Sequence, residues 1–356
     1  MCNGNSNWVT GLFGLVTTLL LNGCICDRAR TALESQTGES VVLAGETPAN
    51  LAFAPALAKP VIVRSTYRDG LPQTIHYEAG RDYSLEASGQ IRRTGQSRIP
   101  DFGTNMLYGK EDFRHDQFPG FGNGPFFVYV DYFHREKWER PATNATLGAG
   151  RLPNTRKKLL AGEKVRIVAF GDSITAGGDA SEPKLIFWKR WAESLQRKYP
   201  RASIETINGA TGGDATVQGL QRLQAKVLQE NPDLVLIGFG MNDHNREGYG
   251  VPLIAFAANL RTMIDRIRAD TGAEVVLFSA FPPNPKWHFG SHNMEAYAIA
   301  TEAVAREKDC AFADVYRFWM TVASKKKPED LLANNINHPN DYGHWIYCQA
   351  LEAVGL

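Results

Sequence analysis

The chain has 356 residues, 43% of them apolar and 22% charged, with a formal net charge of +1. Those proportions belong to a globular protein with a sizeable core, and the length suits two structural units better than one. A charge balance so near neutral gives no electrostatic basis for binding nucleic acid, and no solenoid or propeller repeat is visible.

The N-terminus stands apart. Residues 8–24, WVTGLFGLVTTLLLNGC, form a weakly polar to apolar run, too short for a membrane span and of the length of a signal-peptide core, although no Lys or Arg precedes it. The ending LNGC has the form of a lipoprotein cleavage box. Residues 1–26 are therefore expected to direct export to the periplasm, the medium or the cell surface, with Cys24 a candidate for lipidation and membrane tethering. Residues 27–59, rich in Ala, Ser, Thr and Gly, are expected to be a flexible tether.

From 60 to 140 the pattern is that of short strands: VIVRSTY, TIHYEAG, DYSLEASG, QIRRTG and PFFVYVDYF, separated by turn signals such as RDG, EAG and ASG. A small all-β sandwich or jelly-roll-like domain fits this rhythm. Residues 141–163 read as a linker.

From 164 onward strand and helix alternate. KVRIVAF, ASIETIN, DLVLIGF, EVVLFSA and AFADVY are strands by composition. Between them, EPKLIFWKRWAESLQRKY is amphipathic, with Trp188 and Trp191 expected in the core. ATVQGLQRLQAKVLQE sets Val217, Leu220, Leu223 and Val227 at helical spacing. VPLIAFAANLRTMIDRIRA sets Leu253, Phe256, Leu260, Met263 and Ile267 on one face, and NMEAYAIATEAVAREK and DYGHWIYCQALEAV complete the helices. The alternation predicts an α/β fold with a parallel sheet covered on both faces, its functional loops at the carboxyl ends of the strands.

The stretch FGDSITAGG, residues 170–178, puts Ser173 directly after the first of these strands. Alone, such a serine reads as a helix cap. It is not a phosphate loop, because the Gly-Lys-Ser/Thr ending is missing, and no GxSxG elbow is present. Three further blocks follow in order, each after a strand or before the last helix: INGATGGDAT, GFGMND and NNINHPN. Together the four blocks resemble those of the SGNH (GDSL-type) hydrolase superfamily, over residues 164–356, with an N-terminal β module as in two-domain carbohydrate esterases. The resemblance implies a flavodoxin-like five-stranded parallel sheet and a serine hydrolase acting on carboxylic esters without a cofactor. It implies Ser173 as nucleophile, His338 as base, and the Ser173 N–H, the Gly213 N–H and the Asn242 side-chain amide as oxyanion-hole donors. Elementary chemistry agrees: a serine hydroxyl needs an imidazole to take its proton, and the tetrahedral intermediate needs fixed donors, each worth about 3–4 kcal/mol. Asp172 and Asp243 are expected to brace their loops.

The pattern breaks three residues before the base, where the superfamily usually has Asp and this chain has Asn335. Three outcomes stand open: Asn335 or a backbone carbonyl orients a Ser–His dyad, another carboxylate (Asp341 or Asp314) serves, or catalysis is weak. Trp287, in FPPNPKWHFG, and His244 are candidates for contact with substrate; His344 is expected to be packed. No ligand set for a metal is apparent: His288 and His292 lack a third partner. Cys310 and Cys348 pair with each other or stay as buried thiols. The expected function is an exported esterase that removes short acyl groups, acetyl foremost, from a carbohydrate. The alternatives are a lipase, lysophospholipase or thioesterase, a polysaccharide O-acetyltransferase, and a catalytically weak carbohydrate-binding protein. Oligomeric state is not legible.

Overall fold

The computed structural model describes residues 32–136, 138 and 147–356, so the apolar N-terminal run and Cys24 lie outside the described residues. Residues Leu33–Leu356 form one compact unit. Strand β1 (Glu34–Val42) runs antiparallel to β6 (Phe127–His134), and β3 (Ile62–Arg64) flanks β6 on its other side. A second antiparallel sheet has the order β2 (Ala49–Asn50), β5 (Gln90–Arg93), β4 (Tyr83–Leu85). The segment TIHYEAG contributes only isolated bridges, because most of it is solvent-exposed and only Tyr77 packs into the core.

Residues 33–59 are therefore no tether. Val41 and Leu43 are fully buried, and Ser40 and Glu39 with them. The small-residue composition concealed a strand whose neighbours come from far along the chain. Nor is the all-β region a domain with its own core: one apolar cluster joins Val41, Val130 and Tyr132 to Trp319, Phe281 and Tyr342.

Helix α1 (Pro153–Ala161) occupies part of the expected linker and buries Thr155 and Leu159. Then come β7 (Lys164–Gly171), α2 (Ser173–Ala176), α3 (Phe187–Lys198), β8 (Ser203–Asn208), α4 (Thr216–Lys226), β9 (Leu234–Gly238), α5 (Leu253–Thr271) and β10 (Glu274–Phe278). The chain ends with α6 (Met294–Glu307), β11 (Ala311–Ala313), α7 (Val315–Ala323) and α8 (Asp341–Glu352). The five strands form one parallel sheet in the order β8-β7-β9-β10-β11, the doubly wound arrangement expected. Val168, Val235 and Val276 are fully buried, as strands covered on both faces require.

Two local expectations are corrected. Helix α4 turns Thr216, Gly219 and Leu223 inward and leaves Val217 exposed. It does so because Gly219 lies against Phe239 and Met263, where a Cβ would come within 2.6 Å of the Phe239 ring. Val315 and Tyr316 are helical rather than strand, because the Asp314 side chain accepts the Arg317 N–H at 3.1 Å and starts α7. Cys310 and Cys348 are free buried thiols, pushed up to about 11 and about 12 by burial. No described helix is long and apolar enough to cross a membrane.

The Lys326 ammonium, fully buried, meets Glu39 Oε1 at 2.7 Å and donates to the Asn50 carbonyl at 3.0 Å; Glu39 also accepts the Ala52 N–H and the Tyr132 hydroxyl. Lys326→Met leaves a buried carboxylate without its cation. The variant should lose about 3–5 kcal/mol of stability, read from the urea-unfolding midpoint.

Candidate active site

Strand β7 ends at Gly171, whose missing side chain lets the ends of β7 and β9 approach: a Cβ there would lie 2.2 Å from the Gly238 carbonyl oxygen. The chain then bends. Asp172 caps α2, its Oδ1 accepting the Ile174 N–H at 2.9 Å, and Ser173 is the first helical residue. Ser173 thus stands at the carboxyl edge of the sheet with an N–H that the helix leaves unpaired. Burial pushes the Asp172 carboxyl up to about 7.

The imidazole of His338 meets this serine: Nε2 lies 2.8 Å from Ser173 Oγ. The irregular loop before α8 holds His338 in place. Asn334 Oδ1 accepts the N–H groups of Ile336 (3.0 Å), Asn337 (2.9 Å) and His338 (2.9 Å). The other ring nitrogen, Nδ1, lies 3.0 Å from Asp179 Oδ2.

Asp179 was not among the expected residues. It follows Gly177 and Gly178 on a tight turn and has φ +59°, a left-handed conformation that Asp tolerates better than most residues. The turn is held by the Gly178 N–H on the Ser173 carbonyl (2.8 Å) and by His344 Nε2–H on the Gly178 carbonyl (3.2 Å). The only sequence signal was its position, one residue beyond the Gly-Gly that closes the serine motif.

The three residues weighed for this place lie elsewhere. Asn335 is buried at φ +58°. Its Oδ1 accepts from Asn123 (3.2 Å) and Asn284 (3.3 Å), and its carbonyl from Asn284 (2.9 Å), so it faces the all-β region and not His338. Asp341 accepts the Ser181 N–H at 2.9 Å, which steadies the far side of the Asp179 turn. Asp314 serves α7. His244 does not rim the site: it is wholly buried, its Nδ1 donates to the Met241 carbonyl at 2.6 Å, and burial pulls its pKa down to about 4. His344 is buried as expected and is pulled down to about 3.

Gly213 and Asn242 share one cleft with Ser173 and His338, about 530 Å³ in volume. Gly213 has φ +80°, and its N–H has no acceptor among the described residues. The Asn242 amide gives one hydrogen to the Asp214 carbonyl at 2.9 Å and keeps its second free for a ligand. Asp243 braces this turn, accepting from the Thr216 N–H and hydroxyl and from the Gly240 N–H. The opposite wall is aromatic. Trp287 lines it with Phe289, Tyr249 and Ile336, and the all-β region contributes His115 and Phe121. No local pattern pointed to those last two, because only the tertiary packing of that region brings them here. Among the described residues no three His, Cys, Asp or Glu side chains converge as a metal site.

The family model of the GDSL-like lipases/acylhydrolases matches residues 169–346. The chain is 37% identical to an arylesterase of Vibrio mimicus over 126 residues, 33% of this chain and 56% of that protein. It is 31% identical to the esterase TesA of Pseudomonas aeruginosa over 155 residues, 42% of this chain and 70% of that one. An acetylxylan esterase of Geobacillus stearothermophilus is 24% identical over 172 residues, 46% and 77% of the two chains. A crystal structure of the acetylxylan esterase Axe2 from that organism superposes with a TM-score of 0.47 at 23% identity, covering 54% of this chain and 94% of the other. The chain thus spans little more than half the length of the Vibrio arylesterase.

Asp172 has a folded pKa near 7 against an ordinary value of 3.8. Its contribution to stability is full below about pH 4 and is lost as the pH rises through 7. Urea unfolding of wild type and Asp172→Asn at pH 4 and pH 8 should show the variant gaining on wild type toward high pH, by up to about 4 kcal/mol.

Proposed function

We propose that this chain, which belongs to the GDSL-like lipase/acylhydrolase family, is an exported serine esterase that removes short acyl groups, acetyl foremost, from a carbohydrate. The observation that carries the reaction is the unbroken hydrogen-bonded relay from Ser173 Oγ through His338 to Asp179. The Asp179 carboxylate can only accept, so it holds the proton of His338 on Nδ1 and leaves the Nε2 lone pair facing the serine hydroxyl. His338 takes that proton as Oγ attacks the ester carbonyl. The N–H groups of Ser173 and Gly213 and the free amide hydrogen of Asn242 receive the oxyanion. The imidazolium then protonates the departing alcohol, and water, activated by the same imidazole, releases the acid from the acyl-serine. In this scheme Asp179, not residue 335, supplies the orienting charge.

The size and lining of the cleft support a carbohydrate as the alcohol. Its volume of about 530 Å³ far exceeds an acetyl group and lies in the usual range for small-molecule sites, so most of it serves the other half of the ester. Tyr249, well exposed at the cleft, offers a ring face of the kind a sugar ring can cover, with Phe289 and Trp287 packed beside it. The name of the Geobacillus relative, an acetylxylan esterase, points the same way. Export is inferred from the apolar run before Cys24. The same aromatic wall would also hold a longer or aromatic acyl group, the alternative that the arylesterase relative keeps in view.

Initial rates on 4-nitrophenyl acetate, 4-nitrophenyl octanoate and acetylated xylo-oligosaccharide test the reading. Acetate should be preferred to octanoate, acetic acid should be released from the oligosaccharide, and Ser173→Ala should abolish all three activities. Asp179→Asn should lower kcat by about 10²–10⁴-fold, by analogy with the serine-protease aspartate. Asn335→Asp should not raise it. A preference for octanoate would replace the short-acyl reading, and a fully active Asp179→Asn would remove Asp179 from the relay.

A further inference from the structure

His115 sits on a short 3-10 turn (His115–Gln117) of the all-β region and lines the cleft that holds Ser173. Trp287 Nε1 lies 3.1 Å from its Nδ1. An indole N–H only donates, so His115 Nδ1 is the acceptor and carries no proton. The ring is then neutral, with its hydrogen on Nε2. Burial acts in the same direction, lowering the tendency of His115 to take a second proton.

The ring cannot easily turn away. Phe121 and Phe289 meet it edge-on at 5.6 Å each, and Trp287 packs at 5.9 Å. His115 Nε2 makes no hydrogen bond with the described residues, and it is not among the sealed, unpartnered atoms of the interior. It is a fixed neutral donor on a ring that lines the cleft. Trp287, which fixes it, packs in one apolar cluster with Ile336, two residues before His338. The wall thus belongs with the loop whose imidazole hands its proton to the departing alcohol.

We propose that His115 Nε2–H is a recognition donor for the alcohol half of the ester, binding a hydroxyl or ring oxygen of the sugar. The proposal rests on the esterase reading above and adds a residue to it from the all-β region. A substrate that covers the cleft takes water away from Nε2–H. One without an acceptor there leaves a buried donor unpaired, which is costly, and one with an acceptor does not. The site thereby discriminates between alcohols that differ by a single oxygen.

The test compares kcat/KM for glycerol monoacetate and propyl acetate, two acetyl esters whose alcohols differ in hydroxyl groups. The ratio should favour the glycerol ester in wild type and fall about tenfold in His115→Phe, which keeps a ring but no donor. His115→Gln, which returns an amide N–H, should restore most of it. Nitrogen-15 spectra of wild type should show His115 Nδ1 unprotonated and Nε2 protonated, with a tautomer mixture in Trp287→Phe. An unchanged ratio in a folded His115→Phe variant, equal losses in the Phe and Gln variants, or a proton on Nδ1 would each overturn the proposal. If acetylated xylo-oligosaccharide is not cleaved while the ratio still shifts, the carbohydrate reading fails and the donor role of His115 stands. If none of the three esters is cleaved, both fall.

Discussion

The loop from Lys327 to Asn340 is irregular and largely buried, and it carries His338. Such a segment satisfies part of its backbone internally, with Asn334 Oδ1 and the carbonyls of Lys327, Pro328, Leu331, Leu332 and His338 accepting N–H groups of the loop itself. Its other buried carbonyls need partners from outside. Those outside partners come mostly from the all-β region and the loop after β10. Asn123 donates its N–H to the Ala333 carbonyl at 2.6 Å and its amide to the Leu332 carbonyl at 2.8 Å. Ser40 donates to the Asp330 carbonyl at 2.6 Å, and Asp330 Oδ1 accepts the Val42 N–H at 2.8 Å. Asn284 secures the carbonyls of Ile336 and Asn335. The position of the imidazole thus depends on strand β1 and on residue 123, both far from it in sequence.

This constraint accounts for the residue at 335. A position bridging Asn123 and Asn284 must accept hydrogen bonds in a dry setting. An amide does that without the cost of burying a charge. The carboxylate that meets His338 then comes from the other side, from the turn that follows the serine. Asp179 is solvent-accessible, so its charge costs little to maintain, and its aim is set by the turn that His344 and Asp341 hold from below.

The cleft is composite for the same reason. The packing that satisfies the His338 loop also brings the 105–126 stretch over the edge of the parallel sheet, where His115 and Phe121 close a wall that Trp287 and Phe289 begin. The all-β region is less an appended module than one side of the site. Its apolar core is continuous with that of the α/β part.

The parallel sheet and the meeting of Ser173, Gly213, Asn242 and His338 in one cleft were legible in the sequence. Buried strands have a distinctive composition, and the four blocks hold chemistry at fixed places relative to those strands. Strand β1 was not legible, because Ser, Thr and Gly lower its apparent strand character and its partners are 89 and 290 residues away (Ser40 pairs with Tyr129 and bonds Asp330). Asp179 was equally hidden: proximity to His338 arises from a left-handed turn after two glycines, which no periodicity announces. His244 and Asn335 were misplaced for the converse reason, since a side chain in a functional loop can turn inward as readily as outward. Composition and spacing determine which residues stand at the mouth of such a sheet. Direction, tautomer and partner are set by packing between distant segments, and only the tertiary structure decided those.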